Sequence, residues 1–155
     1  MEKNNEKKIR TLEKKWGNNT VSLGWTAIPN ILLERQQALG LDCVDLNILL
    51  VLMKHWWDHD RSPYPSKQTI ADIIGRDKST VQKHIVKMES NGIMSRVERH
   101  YNSGGQTSNG YDLSGLISKV KILAKTELKE KKERNEDKGR KRRGYVSVDN
   151  QTDNN

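Results

Sequence analysis

The stretch Ser66–Lys87, SKQTIADIIGRDKSTVQKHIVK, leaves few options besides two short helices joined by a tight turn. Ile70, Ile73 and Ile74 recur at i, i+3 and i+4 with Ala71 beside them, the spacing of one apolar helical stripe. Gly75 stands where that helix must end, because glycine enters the left-handed conformation without a Cβ penalty. Asp77 is placed to offer a carboxylate oxygen to the open N–H groups of a second helix. There Val81, Ile85 and Met88 recur at i, i+4 and i+7 and predict the buried side. At about 100° per residue, Ser79, Gln82, Lys83 and Val86 fall opposite, with Thr80 and Lys87 on the flank. Long polar and cationic side chains on such a face are what reading a DNA major groove requires. A plain helical hairpin with a solvated outer face has the same pattern, so the rest of the chain must decide.

Charge is the first discriminator. The 155 residues carry a net charge of +8, which suggests a polyanionic partner. Residues 1–20 hold six Lys/Arg against three acids, residues 21–118 hold ten of each, and residues 119–143 hold twelve against five. The ends are basic and the middle is neutral. Within Ser66–Lys87, however, five cations face two acids, so the helical pair is locally positive. The single cysteine, Cys43, excludes an internal disulfide and a thiolate metal cluster. Its neighbours Leu41, Val44 and Leu46 suggest a small buried hydrophobe. MEKNNEKKIR lacks the apolar run of a secretory signal, and Ile48–Met53 is far shorter than the ~18 residues a membrane span needs. No membrane partner is expected, and the expected location is cytoplasmic, with the nucleoid.

Along the chain, residues 1–20 read as a flexible basic arm, disordered or loosely helical, with Ile9, Leu12 and Trp16 as its few apolar anchors. Pro29 suits the start of a short helix through Ile31, Leu32 and Leu33, ended by Gly40. Asp42 and Asp45 form a capping pair ahead of a helix over Cys43–Trp57 that is apolar nearly all round, hence central. His55 and His59 share a helix face, which invites a metal reading. No third ligand and no H-E-x-x-H accompany them, so no metal or other cofactor is expected. Pro63 and Pro65 make a turn, and Ser66 caps the helix after it. After Asn91-Gly92, Ile93–Tyr101 and Thr107–Leu113 read as strands around the polar glycine-rich tip Asn102–Gln106. Val97 and Tyr101 share one face, Arg96 and His100 the other. Ser114 to about Lys132 reads as a last amphipathic helix, striped by Leu116, Ile117, Val120, Leu123, Ala124 and Leu128. That stripe either packs back or pairs with a second copy, and the expectation leans to a homodimer, which suits a palindromic site. Residues 133–155 read as a disordered basic tail. Lys138–Arg143 either neutralises phosphates or is simply solvated.

A helix, a helix-turn-helix and then a hairpin is the order of a winged helix. The fold class is thus mainly α with a small β-hairpin (α+β): a winged helix-turn-helix over residues 21–113 with an added C-terminal helix. Trp25 to Leu113 resembles the winged helix-turn-helix domains of bacterial plasmid and phage replication proteins and related small DNA-binding regulators. Leu49-Leu50-Val51-Leu52 with Trp56-Trp57 looks like the first core helix of that family. Tyr64-Pro65-Ser66 through Ile70-Ala71 looks like its "aromatic-Pro-Ser-x-x-x-Leu-Ala" opening. Gly75–Val81 sits where the family has "Gly-Val-Ser-x-x-Thr-Val", Met88–Ile93 resembles "Leu-Glu-x-x-Gly-Leu-Ile", and Gln106–Leu113 looks like its second wing strand. Arg76 departs from the pattern, since an apolar residue usually fills the turn there.

The resemblance implies double-stranded DNA binding, with Lys78, Ser79, Gln82 and Lys83 at bases or nearby phosphates and the wing tip on the backbone. Thr80 and Lys87 flank that face. Lys67 and Gln68 at the start of the first helix, and Arg96, Ser103, Gly104 and Gln106 on the wing, complete the candidate interface. The leading function is a sequence-specific DNA-binding transcriptional regulator. Replication initiation or partition of a mobile element, and a protein–protein adaptor built on a winged helix, are the alternatives, because fold alone does not fix role. No P-loop, nucleophile or paired-carboxylate constellation is present, so no enzyme is expected.

Overall fold

A computed structural model describes residues 2–58, 60–100, 104–105 and 107–144. The elements run α1 (Glu2–Trp16), α2 (Asn18–Ser22), α3 (Asn30–Glu34), α4 (Cys43–Lys54), α5 (Lys67–Ile74), α6 (Lys78–Ser90), β1 (Ser95–Val97), β2 (Gly110–Asp112) and α7 (Ser114–Gly144).

The core grows around α4. Its start is fixed by a reciprocal cap: Asp42 accepts from the N–H groups of Val44 and Asp45, while Asp45 accepts from Asp42 N–H. Ile48, Leu49, Val51 and Leu52 are buried on it. Burying one such side chain is worth roughly 1.5–3 kcal/mol, so this helix anchors the domain. α5 and α6 pack against it and against each other. They bring Ile70 and Ala71, and then Val81, Ile85 and Met88, into the same core. Ser66 Oγ accepts from Thr69 N–H at the start of α5. Gly75 ends that helix at φ 65°, ψ 44°, and the next N–H, of Arg76, donates back to Ala71.

Several local expectations are corrected. Ile73 is 48% exposed, because the buried face of α5 is centred between Ile70, Ala71 and Ile74, about 100° away around the helix. Cys43 is exposed, lying about 140° around α4 from Ile48. Asp77 has the extended backbone of a cap, yet its carboxylate makes no cap hydrogen bond. α4 stops at Lys54 instead of Trp57, since the ring and the N–H of His55 both turn to the Val51 carbonyl. Trp56 packs on the core and Trp57 is exposed. Pro29 stands just outside α3, which ends at Glu34.

The hairpin pairs antiparallel, with Ser95 opposite Asp112, Arg96 opposite Tyr111 and Val97 opposite Gly110. Both strands are shorter than the sequence suggests. Pro63 O accepts from Tyr111 N–H at 2.8 Å, so the Pro-rich turn lines the outer edge of β2. Tyr111, Leu113 and the preceding Ile93 and Met94 are buried.

α7 starts beside that hairpin. Leu116 N–H donates to Ile93 O at 2.7 Å, and a Cβ on Gly115 would lie 2.3 Å from Gly92 O. Leu116, Val120 and Leu123 pack back on the core, and Glu127 pairs with Arg35 beside α3. Of the two readings of this stripe, packing back holds for these turns, while Ile122 and Leu128 are exposed. The helix continues to Gly144 instead of ending near Lys132, because Lys, Glu and Arg are good helix formers, and Glu127 meets Arg134 across two turns. At the other end the basic arm is helical over Glu2–Trp16, and α1 packs on α2.

Candidate nucleic-acid interface

α6 buries one face completely, so its opposite face must look outward. Lys78, Ser79, Lys83 and Val86 are exposed and Thr80 and Gln82 are partly so. Lys78 and Lys83 make no ion pair with a described residue, unlike Lys87 and Arg96. With no cap from Asp77, the first-turn N–H groups of α6 remain open at this exposed end, a setting that suits a phosphate oxygen.

α5 adds two of the expected residues. Lys67 Nζ donates to Gln82 Oε1, bridging the start of α5 to the outer face of α6. With that oxygen engaged, Gln82 has its two amide N–H groups left to donate. Gln68 is exposed and donates to Asp72 one turn on. Two other expected contacts are directed elsewhere. Arg96 forms a two-pronged pair with Glu89, both bonds at 2.7 Å, which fixes the wing to α6. Lys87 donates to Asp42 at 2.8 Å and to Asp45 at 2.6 Å, because two carboxylates at the start of α4 lie closer than solvent. On the wing, Gly104 is exposed, while Ser103 and Gln106 lie outside the described residues. Arg99, not singled out in the sequence, stacks its guanidinium 3.7 Å from the Tyr64 ring centroid at the wing base.

Behind the interface sits a buried carboxylate. Asp45 is fully buried and accepts from Asp42 N–H, from Lys87, and from His84 Nδ1 at 2.7 Å. An ionised carboxylate only accepts, so His84 Nδ1 carries the hydrogen. Asp45 thus caps α4 and holds α6 at once. Desolvation pushes the neighbouring Asp42 carboxyl up, but the Lys87 hydrogen bond, two backbone N–H groups and His84 outweigh it and hold the pKa at about 2. Hydrogen bonds to Asp42 and Asp45 raise Lys87. Asp42, Asp45 and His84 are close enough to bind a metal ion, but the Lys87 ammonium already sits on both carboxylates. His55, the other candidate ligand, faces the Val51 carbonyl, and His59 lies outside the described residues. The sequence signals the Asp42–Asp45 cap but not its partners, which lie some forty residues further along the chain.

Among the described residues, no helix is long and apolar enough to cross a membrane. Residues 40–94 match the family model for a helix-turn-helix domain. No curated protein sequence matches the chain. Among solved structures, the N-terminal domain of the DnaD protein from Geobacillus kaustophilus superposes with a TM-score of 0.55 at 17% identity, covering 74% of this chain and 93% of that one. A structure described as a possible transcriptional regulator from Methanosarcina mazei gives a TM-score of 0.43 at 17% identity, covering 70% and 85%. With the turn at Gly75, the exposed face of α6 and the hairpin beyond it, residues 40–94 have the helix-turn-helix fold that the family model describes, carried here in winged form with a long C-terminal helix.

Proposed function

We propose that the chain binds double-stranded DNA sequence-specifically and acts as a transcriptional regulator. The observation that carries this reading is the outward face of α6, where Lys78, Ser79, Gln82 and Lys83 stand clear of the core and the two lysines have no carboxylate partner among the described residues. Lys78 and Lys83 neutralise phosphates or contact guanine, and Thr80 supports them from the flank. Gln82, its oxygen held by Lys67, donates to a base acceptor such as guanine O6 or N7, or thymine O4. Gly104 brings the wing backbone to the sugar-phosphate chain. Lys87 and Arg96 act indirectly, by holding α6 and the wing in place. A homodimer on a two-fold site would pair through α7, where Ile122 and Leu128 are exposed.

Sites selected from random DNA give the probe, and Lys78→Glu/Lys83→Glu gives the test. Loss of binding with an unchanged circular dichroism spectrum is expected. Unchanged binding would leave an adaptor that uses the winged helix on protein. Bound sites clustered at a replication origin, and absent from promoters, would move the role from transcription to replication.

A further inference from the structure

An apolar groove of about 850 Å³ opens on a different part of the domain, between residues 23–29, the end of α4 and the first turns of α7. That volume lies within the range of roughly 300–1,000 Å³ typical of small-ligand sites. The indole rings of Trp25, Trp56 and Trp57 line it, and buried Leu32 and Leu116 close its floor. Trp25 is 57% and Trp57 87% exposed, so two large rings lack the cover that the core gives others. Lys54 and Lys121 line the same groove, and among the described residues no carboxylate does.

Arg35, Lys87 and Arg96 are each held by a carboxylate, whereas Lys54 and Lys121 have no ion pair with a described residue. The chain's own α1 is a poor occupant. Ile9 and Trp16 on α1 are exposed, but Lys8, Arg10, Lys14 and Lys15 accompany them and would be repelled by the two lysines. We infer that the groove binds a small organic acid: an apolar or aromatic body against the tryptophans, and one carboxylate or sulfonate between Lys54 and Lys121.

The test uses the full chain with 8-anilinonaphthalene-1-sulfonate as reporter, decanoate as competing acid and decanol as its neutral counterpart. One dye per chain is expected, excited through the groove tryptophans, with decanoate displacing it far better than decanol. Decanoate should also raise the midpoint of thermal unfolding, as a ligand of the native state must. Lys54→Gln/Lys121→Gln should weaken decanoate about 10-fold, the scale of two solvent-exposed ion pairs, and leave decanol unchanged. Ala27→Trp, which adds bulk at the groove wall, should block both while the chain still unfolds cooperatively. Absence of dye binding to the folded chain would overturn the inference, as would displacement that ignores the lysines. So would sedimentation showing a dimer that excludes the dye, or affinity for an acidic amphipathic peptide with none for decanoate.

Discussion

Replacing Asp45 tests how α6 is held. The carboxylate has no solvent exposure and accepts from Asp42 N–H at 2.9 Å, His84 Nδ1 at 2.7 Å and Lys87 Nζ at 2.6 Å. Breaking a buried ion pair typically costs about 3–5 kcal/mol, mainly because the surviving partner is stranded. Here the survivors are not wholly stranded. Lys87 keeps Asp42 at 2.8 Å and its side chain is 42% exposed, and His84 still has Asp42 at 3.6 Å. Loss of the cap on Asp42 N–H adds about 1 kcal/mol. Asp45→Ala should therefore destabilise by ~2–4 kcal/mol. Asp45→Asn, which keeps the volume but turns an amide N–H toward an existing donor, should cost ~1–2 kcal/mol. Urea unfolding followed by tryptophan fluorescence measures both, provided the denaturant slope stays constant. A double cycle with Lys87→Met should show coupling of ~1 kcal/mol, kept small by the solvent that reaches Lys87. A loss under ~0.5 kcal/mol for Asp45→Ala, within the range of ordinary surface substitutions, would refute the idea that this carboxylate joins α4 to α6.

Other consequences can be checked separately. Gly115→Ala places a Cβ 2.3 Å from the backbone of Gly92 and 3.1 Å from Ile93 O, so it should cost ~1–3 kcal/mol by overpacking, read as a lower thermal midpoint. Gln82→Ala should cost ~1–3 kcal/mol on the selected site and little on random DNA in a mobility-shift titration. Lys83→Ala should lower affinity for the selected site, and deleting residues 138–155 should flatten the salt dependence if that segment neutralises phosphates. Asp42 titrates at about 2 in the folded chain against 3.8 ordinarily, so its contribution is complete above pH 3.8 and is lost as pH falls toward 2. Lys87 is raised above 10.5, so its contribution is complete below that value and is lost as pH climbs through the folded value. Stability against pH in Lys87→Met should accordingly fall less steeply at the acid end than in the parent.

The parts of this fold that were legible in the sequence are those decided within a few residues. Gly75 ends α5, Ser66 caps it, Asp42 and Asp45 cap α4, and Val81, Ile85 and Met88 face the core, each by a local rule. The outward face of α6 comes from the same periodicity. Features that escaped depend on distant partners. Lys87 has the spacing of a flank residue, but its direction is set by carboxylates from α4, which no helical wheel contains. Arg96 likewise answers to Glu89 rather than to strand alternation. Cys43 has apolar neighbours in sequence yet lies on the exposed side of α4, where the core does not reach. The groove is assembled from three separate segments, so Trp25, Lys54 and Lys121 show no relation until the chain is folded.

The junction at Gly115 has a mechanical meaning. Ile93 leads into β1 and Leu113 leaves β2, while the Leu116 amide is latched to the Ile93 carbonyl between them. Both feet of the hairpin and the root of the long terminal helix share one hinge-free knot. Torque applied far out on that lever is delivered to the wing and to the end of α6 together, since Gly92 follows that helix and Glu89 on it holds Arg96 of the wing.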